Sequence, residues 1–344
     1  KMPKAKVITL TPTALDADGV STTETLLATR LDYLINGAHS SGFDRNGICL
    51  AQTNGASAAL TLNGAHSSGF DRNGICLAQT NGASAALTLN GAQGIDFTAR
   101  KGVFIQIFAG SDNTGITFAV VGTDVRGDRI TETITGPDAG LTVLGSVKFY
   151  SVTSVTSSAA VTDNCEVGTN GSVTYANPQH VNSTHAGDDS GETVTFIGED
   201  RYGRALTETI TGGSSAAVAS ENNFAKVDRI VASAAGANAV TAGTAALCES
   251  RWHVLNYRGR DFTVGLGLDV TSGPGAGTAA VQHTFDNVLA PGFREIDATV
   301  HTHDTVHSKT ANFDGNYTSP PVACRLAITA YTSGSISLRI VQAG

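Results

Sequence analysis

Three histidines, His301, His303 and His307, stand close together with Asp304 among them, and by residue type they are the best candidates for metal ligands. On a strand, His301 and His303 fall on one face, which suits two imidazole ligands. No Cys or Glu sits at ligand spacing beside them, and the stretch is polar, so a solvated or interface loop is the simpler reading. Asp16-Ala-Asp18-Gly19 and Asp44-Arg-Asn46-Gly47 open like calcium loops, but the later bidentate Glu and the flanking helices are missing. Turn chemistry accounts for both. Gly275-Ala-Gly277-Thr-Ala-Ala280 has the letters of a dinucleotide fingerprint, yet a strand-like AVQHTF follows where a helix N-terminus is needed. Arg126-Gly127-Asp128 spells an adhesion tripeptide. No P-loop lysine and no GxSxG elbow is present, so no catalytic residue and no cofactor is expected.

The five cysteines (Cys49, Cys76, Cys165, Cys248 and Cys324) are odd in number and form no CxxC pair. Buried free thiols are therefore expected, rather than a disulfide framework or a zinc site, which fits synthesis in a host cytoplasm. A net charge of −8 without a basic stripe argues against nucleic acid as the main partner. The N-terminus shows no signal-peptide apolar core, and no apolar run reaches membrane-spanning length, so no membrane role is expected.

The elements that would position these residues are strands. Only 15% of the chain is charged, and the deficit is filled by Thr, Ser, Ala and 39 glycines, a composition of half-buried strands joined by tight turns. Residues 36–62 recur unchanged as 63–89, so residues 1–93 read as an N-terminal β-repeat region whose tandem copy is either recent or incidental. An older duplication aligns Gly110–Gly136 with Ala186–Gly212. Gly115, Gly122, Asp124, Gly127 and Glu132 match Gly191, Gly198, Asp200, Gly203 and Glu208. At the tripeptide position the second copy reads Tyr202-Gly203-Arg204, so what the two share is a glycine turn. Ser190, in a nucleophile-like DDSG stretch, aligns with Thr114 and reads as part of a turn. Each unit predicts a hairpin ending in ITETIT or LTETIT, with Thr131, Thr133 and Thr135 on one face and Ile130, Glu132 and Ile134 on the other.

These repeats divide the remainder into a β module over 94–172, its repeat over 173–250 and a C-terminal domain over 251–344. In the last, Val264, Leu266, Leu268 and Val270 alternate with polar or small residues, as do Ile336, Leu338 and Ile340. Trp252 is the expected core anchor. The fold class is all-β: tandem small β-sandwich or hairpin modules followed by a jelly-roll-like β-sandwich.

The paired G-(T/E)-D-x-x-G-x-x-x-T-E-T-I-T-G units resemble a module common in tailed-bacteriophage structural proteins. The final stretch is similar to the C-terminal domain of the same proteins, through Val281-Gln-His-Thr-Phe-Asp286, Thr310–Tyr317 and Ile340-Val-Gln342. The resemblance covers about residues 94 to 344. It implies a non-enzymatic virion protein on the capsid exterior, a decoration, cement or head-fibre protein, with the major capsid protein and further copies of itself as partners, a trimer slightly ahead of a dimer. The alternatives are a neck, tail or host-binding fibre component, or a glycan-binding β module using Tyr202, Tyr257 and Tyr331.

Overall fold

The computed structural model describes residues 4–10, 44–52, 59–60, 71–233, 240–257, 262–271, 277–331 and 335–342. The described chain is all-β: antiparallel sheets, two three-residue 3-10 turns and no α-helix among the described residues. The strands build three two-sheet units, each with its own hydrophobic core.

In the first unit one sheet runs Asp71–Asn81, Val161–Thr169, Val103–Ala109, Thr142–Phe149, and the other Arg129–Thr135, Thr117–Thr123, Ser151–Ser157. Their inner faces meet over Ile105, Ile107, Phe118, Val120, Val155 and Val167, with Phe149 wholly buried. The second unit repeats this arrangement with an added strand, Val173–Gln179, in its hairpin sheet. One sheet runs Asp44–Gln52, Val240–Thr244, Val181–His185, Ala217–Ala219, and the other Ala205–Thr211, Thr193–Glu199, Phe224–Ala232, Val173–Gln179. The two cores correspond, Val120 to Phe196 and Phe149 to Phe224.

The predicted hairpins form in both units, with Thr117 opposite Thr135 in one and Thr193 opposite Thr211 in the other. Each turn needs a left-handed residue, supplied by Gly127 at φ 83° and Gly203 at φ 73°. The carboxylate of Asp124 accepts the backbone N–H groups of Arg126 and Asp128 at 2.8 and 2.9 Å, and Asp200 does the same for Tyr202 and Arg204. Thr131, Thr133 and Thr135 are exposed while Ile134 is buried, as strand alternation requires. The shared Glu has a structural task too. Glu132 accepts from the N–H of Ser146 and Val147, and Glu208 from those of Glu221 and Asn222, so each glutamate clasps the chain that crosses behind its hairpin.

The C-terminal unit pairs Lys4–Leu10, Ser335–Gln342, Val264–Thr271 and Phe313–Tyr317 in one sheet. Its other sheet is built on Ala323–Ala330 and Thr278–Thr284. Val264, Leu266, Leu268, Leu338 and Ile340 face Val281, Leu326 and Ile328 across the core. Trp252 is buried, but its ring is covered by a guanidinium: Arg325 lies 4.5 Å from the ring centroid.

The N-terminal region is distributed among these units. Its described strands go in reverse order: Lys4–Leu10 to the C-terminal unit, Asp44–Gln52 to the second and Asp71–Asn81 to the first. Each ends its sheet. The core of the first unit accordingly takes Ile75, Cys76 and Leu87 from the second tandem copy.

Candidate functional site

The three histidines do not come together as ligands. The strand containing His301 is only His301–Thr302, so His303 turns inward and is buried, while His301 and His307 stay exposed. His303 organises its loop: its Nδ1 accepts the N–H groups of Thr305 and Val306 at 3.1 and 3.2 Å, and its Nε2 faces the Asn316 carbonyl at 3.2 Å. The ring beside His301 is His283, stacked at 5.5 Å, with Phe285 and Tyr317 edge-on to His283 at 5.5 and 5.2 Å. Burial, then the neighbouring His301 and His303, holds His283 below the ordinary imidazole value, which favours the neutral ring. Among the described residues, no group of three or more His, Cys, Asp or Glu is placed to hold a metal ion.

The four cysteines whose side chains are described, Cys76, Cys165, Cys248 and Cys324, are buried and form no disulfide with one another. Burial pushes the thiols of Cys76, Cys165 and Cys248 up to about 12, so they are thiols and not nucleophilic thiolates.

Sequence reasoning missed a Ser-His-Asp chain. Ser183 Oγ lies 3.0 Å from His185 Nε2, and His185 Nδ1 lies 2.9 Å from Asp189 Oδ2. The connectivity is that of a nucleophile, a base and an orienting acid. Access is what differs: Ser183 is wholly buried, and the His185 and Asp189 side chains are each 1% exposed. Its place in the fold explains it. Ser183 and His185 share a face of one strand, and Asp189 opens the following turn, where its N–H donates to the Gly213 carbonyl at 3.0 Å. The aligned residues of the first unit are Ile107, Ala109 and Asn113, so Ser183 and His185 stand where the sister packs two apolar groups. That contrast was the available signal.

A second polar cluster joins the second unit to the C-terminal one. His180 Nε2 lies 2.7 Å from Glu249 Oε2, Asn223 donates to the same oxygen at 2.6 Å, and the Arg325 guanidinium stands 4.0 Å from Oε1. Burial alone would raise the Glu249 carboxyl. The His180 charge and hydrogen bond, with Arg325 and Asn223, outweigh it and hold the group at about 2. Burial correspondingly works against charge on His180, and Glu249 reverses it, so the His180 value is raised. Beside them Arg201 pairs with Glu295 at 3.0 Å, and Tyr202 and Arg204 reach Glu295 and the Phe293 carbonyl. A cavity of about 210 Å³ opens here, lined by Asp200, Glu221, Asn223, Glu295 and Arg325 among others. Asp200, Glu295 and Arg325 in its wall are each close to an opposite charge, Arg204, Arg201 and Glu249 respectively. The cluster locks two units.

Among the described residues, two surfaces offer themselves for contact. One is the threonine-faced strand that ends each hairpin sheet, with Thr207, Thr209 and Thr211 exposed like their counterparts at 131, 133 and 135. The other is the segment 285–300, where Phe285 is 56% and Leu289 74% exposed, with Ile296 and Val300 nearby in sequence and about 40% exposed. Asp286 holds this loop in place by accepting the Thr299 N–H at 2.6 Å and the Thr284 hydroxyl at 3.1 Å.

The fold and these surfaces define a modular all-β protein. Comparison with known proteins finds no matching family model, no matching curated protein and no matching solved structure.

Proposed function

We propose that this chain is a non-enzymatic structural protein of a tailed-phage virion, bound to the outer capsid surface as a decoration, cement or head-fibre protein. The observation that carries the proposal is the repetition of a hairpin unit that ends in an exposed threonine-faced strand. Such edges offer backbone N–H and C=O groups to a partner strand. Repeated over a symmetric lattice, many weak contacts give avidity without one deep pocket. The apolar loop around Phe285 and Leu289 supports the same adhesive reading, since exposed apolar side chains held in a fixed loop mark contact surfaces. The sequence resemblance supplies the capsid as the partner, and further copies of the chain as the second.

Counting copies per purified particle, by stained gel or by imaging, tests the proposal. Hundreds of copies spread over the shell are expected. A few copies at one vertex would replace it with a neck, tail or fibre role.

A further inference from the structure

Two identical segments meet two equivalent sites. Asp71, Cys76 and Gln79 of the second tandem copy stand opposite Thr169, Val167 and Cys165. Asp44, Cys49 and Gln52 of the first copy stand opposite Thr244, Ala242 and Val240. These are the same three positions of the repeat against the same three positions of the older duplication. A few residues on, Ala86 bridges Thr156, and the Leu87 N–H donates to the Val155 carbonyl at 2.8 Å. In the other unit Ala59 and Leu60 stand opposite Val231 and Ile230, again the matching positions. Each copy thus staples the two sheets of one unit.

We infer that the strands Val161–Thr169 and Val240–Thr244, with the adjoining strands Ser151–Ser157 and Phe224–Ala232, form two equivalent binding sites for one extended peptide, the repeated segment. The tandem copies are interchangeable ligands, and a second copy of the chain can supply the same strand.

Three features support a site built for this ligand. Without the segment, Val161–Thr169 and Val240–Thr244 would end their sheets with a row of unpaired backbone groups. A side chain at Gly168 would stand 1.8 Å from the Asp71 carbonyl oxygen, so the accepting strand lacks a Cβ where the ligand backbone crosses. The second unit has Gly243 at the aligned position. Ile75, Cys76 and Leu87 then enter the core almost completely, at 1%, 0% and 3% exposure.

The sites differ in strength. Arg72 forms an ion pair with Glu166, and its guanidinium lies 4.1 Å from the Phe108 ring centroid. The second site has Thr241 and Thr184 at those positions, so the same peptide has less to hold there. A chain left with one copy fills the first site and leaves the second open. This inference rests on register and stands or falls independently of the virion reading.

The test deletes residues 36–62 and adds a fluorescent peptide of residues 44–60. The one-copy chain is expected to bind one equivalent, at least about tenfold tighter than a shuffled peptide. The full chain, with both sites filled, binds little. A folded one-copy chain that prefers neither peptide, with hydrogen exchange at 240–244 unchanged from the full chain, would overturn the inference. A second measurement needs no deletion. Light and heavy-isotope chains carrying Ala242→Cys, which places a thiol opposite Cys49, are refolded together up to roughly millimolar concentration, near that of a tethered segment. Disulfides joining heavy to light peptides, rising with concentration, are expected. Linkage only within one isotope at every concentration would overturn strand transfer between chains.

Discussion

Glu249 is a carboxylate kept ionised inside the protein by His180, Arg325 and Asn223, and removing any of them strands a buried charge. Its value falls from 4.5 to about 2, so its stabilisation is complete above pH 4.5 and is lost as pH falls towards 2. His180 runs the other way: raised above 6.5, it stabilises fully below that pH, and the effect is lost as pH rises through the shifted value. Glu249→Gln is therefore expected to flatten both limbs of the stability profile. Between those limits it should cost roughly 3–5 kcal/mol, read by urea unfolding. An unchanged acid limb would show that other carboxylates govern it. His303 makes a smaller case. His303→Ala removes the acceptor for the Thr305 and Val306 N–H groups and should cost about 1–3 kcal/mol in thermal unfolding.

At the scale of elements, the hairpin turns depend on backbone geometry more than on side-chain packing. Nothing lies within 4 Å of where a Cβ at Gly127 would sit, yet its φ is 83°. Gly127→Ala should thus cost about 1 kcal/mol from conformation alone, measured by chemical denaturation. The loop 285–300 poses the opposite problem, since its exposed apolar groups add little to folding. Phe285→Ser with Leu289→Ser should leave stability within about 0.5 kcal/mol while weakening capsid attachment, scored by pull-down with purified shells. Attachment at full strength would move the contact surface to the threonine-faced strands.

Over the whole molecule, the reverse-order threading couples the chain's start to its end. Lys4 stands opposite Gln342, and Leu10 opposite Ile336. Removing residues 1–10 is expected to leave Ser335–Gln342 as an open edge, with faster amide exchange in that strand and self-association by sizing chromatography. Exchange confined to its original rate would mean that the first strand adds nothing to the unit. Contacts at such sequence separation also make closure slow, because the entropy of joining the ends is lost before the pairing stabilises.

Much of this was legible without coordinates. Strand alternation marked Val264–Val270, Ile336–Ile340 and the two hairpins, because a period of two and a glycine turn are local properties of the chain. The older duplication showed that Gly127 and Gly203 share one task. What stayed hidden is non-local. Spacing could not show that His303 turns inward while His301 stays out, nor that His283 takes the place beside it, since both depend on where a two-residue strand stops. Ser183 and His185 differ in sequence from Ile107 and Ala109 of the sister unit, but only the fold buries them together with Asp189 in one hydrogen-bonded chain. The sequence by itself determined that this is an all-β chain made of repeats. Only the tertiary structure decided that each identical N-terminal copy completes a different unit, because strand partners are chosen by open edges and buried faces far along the chain.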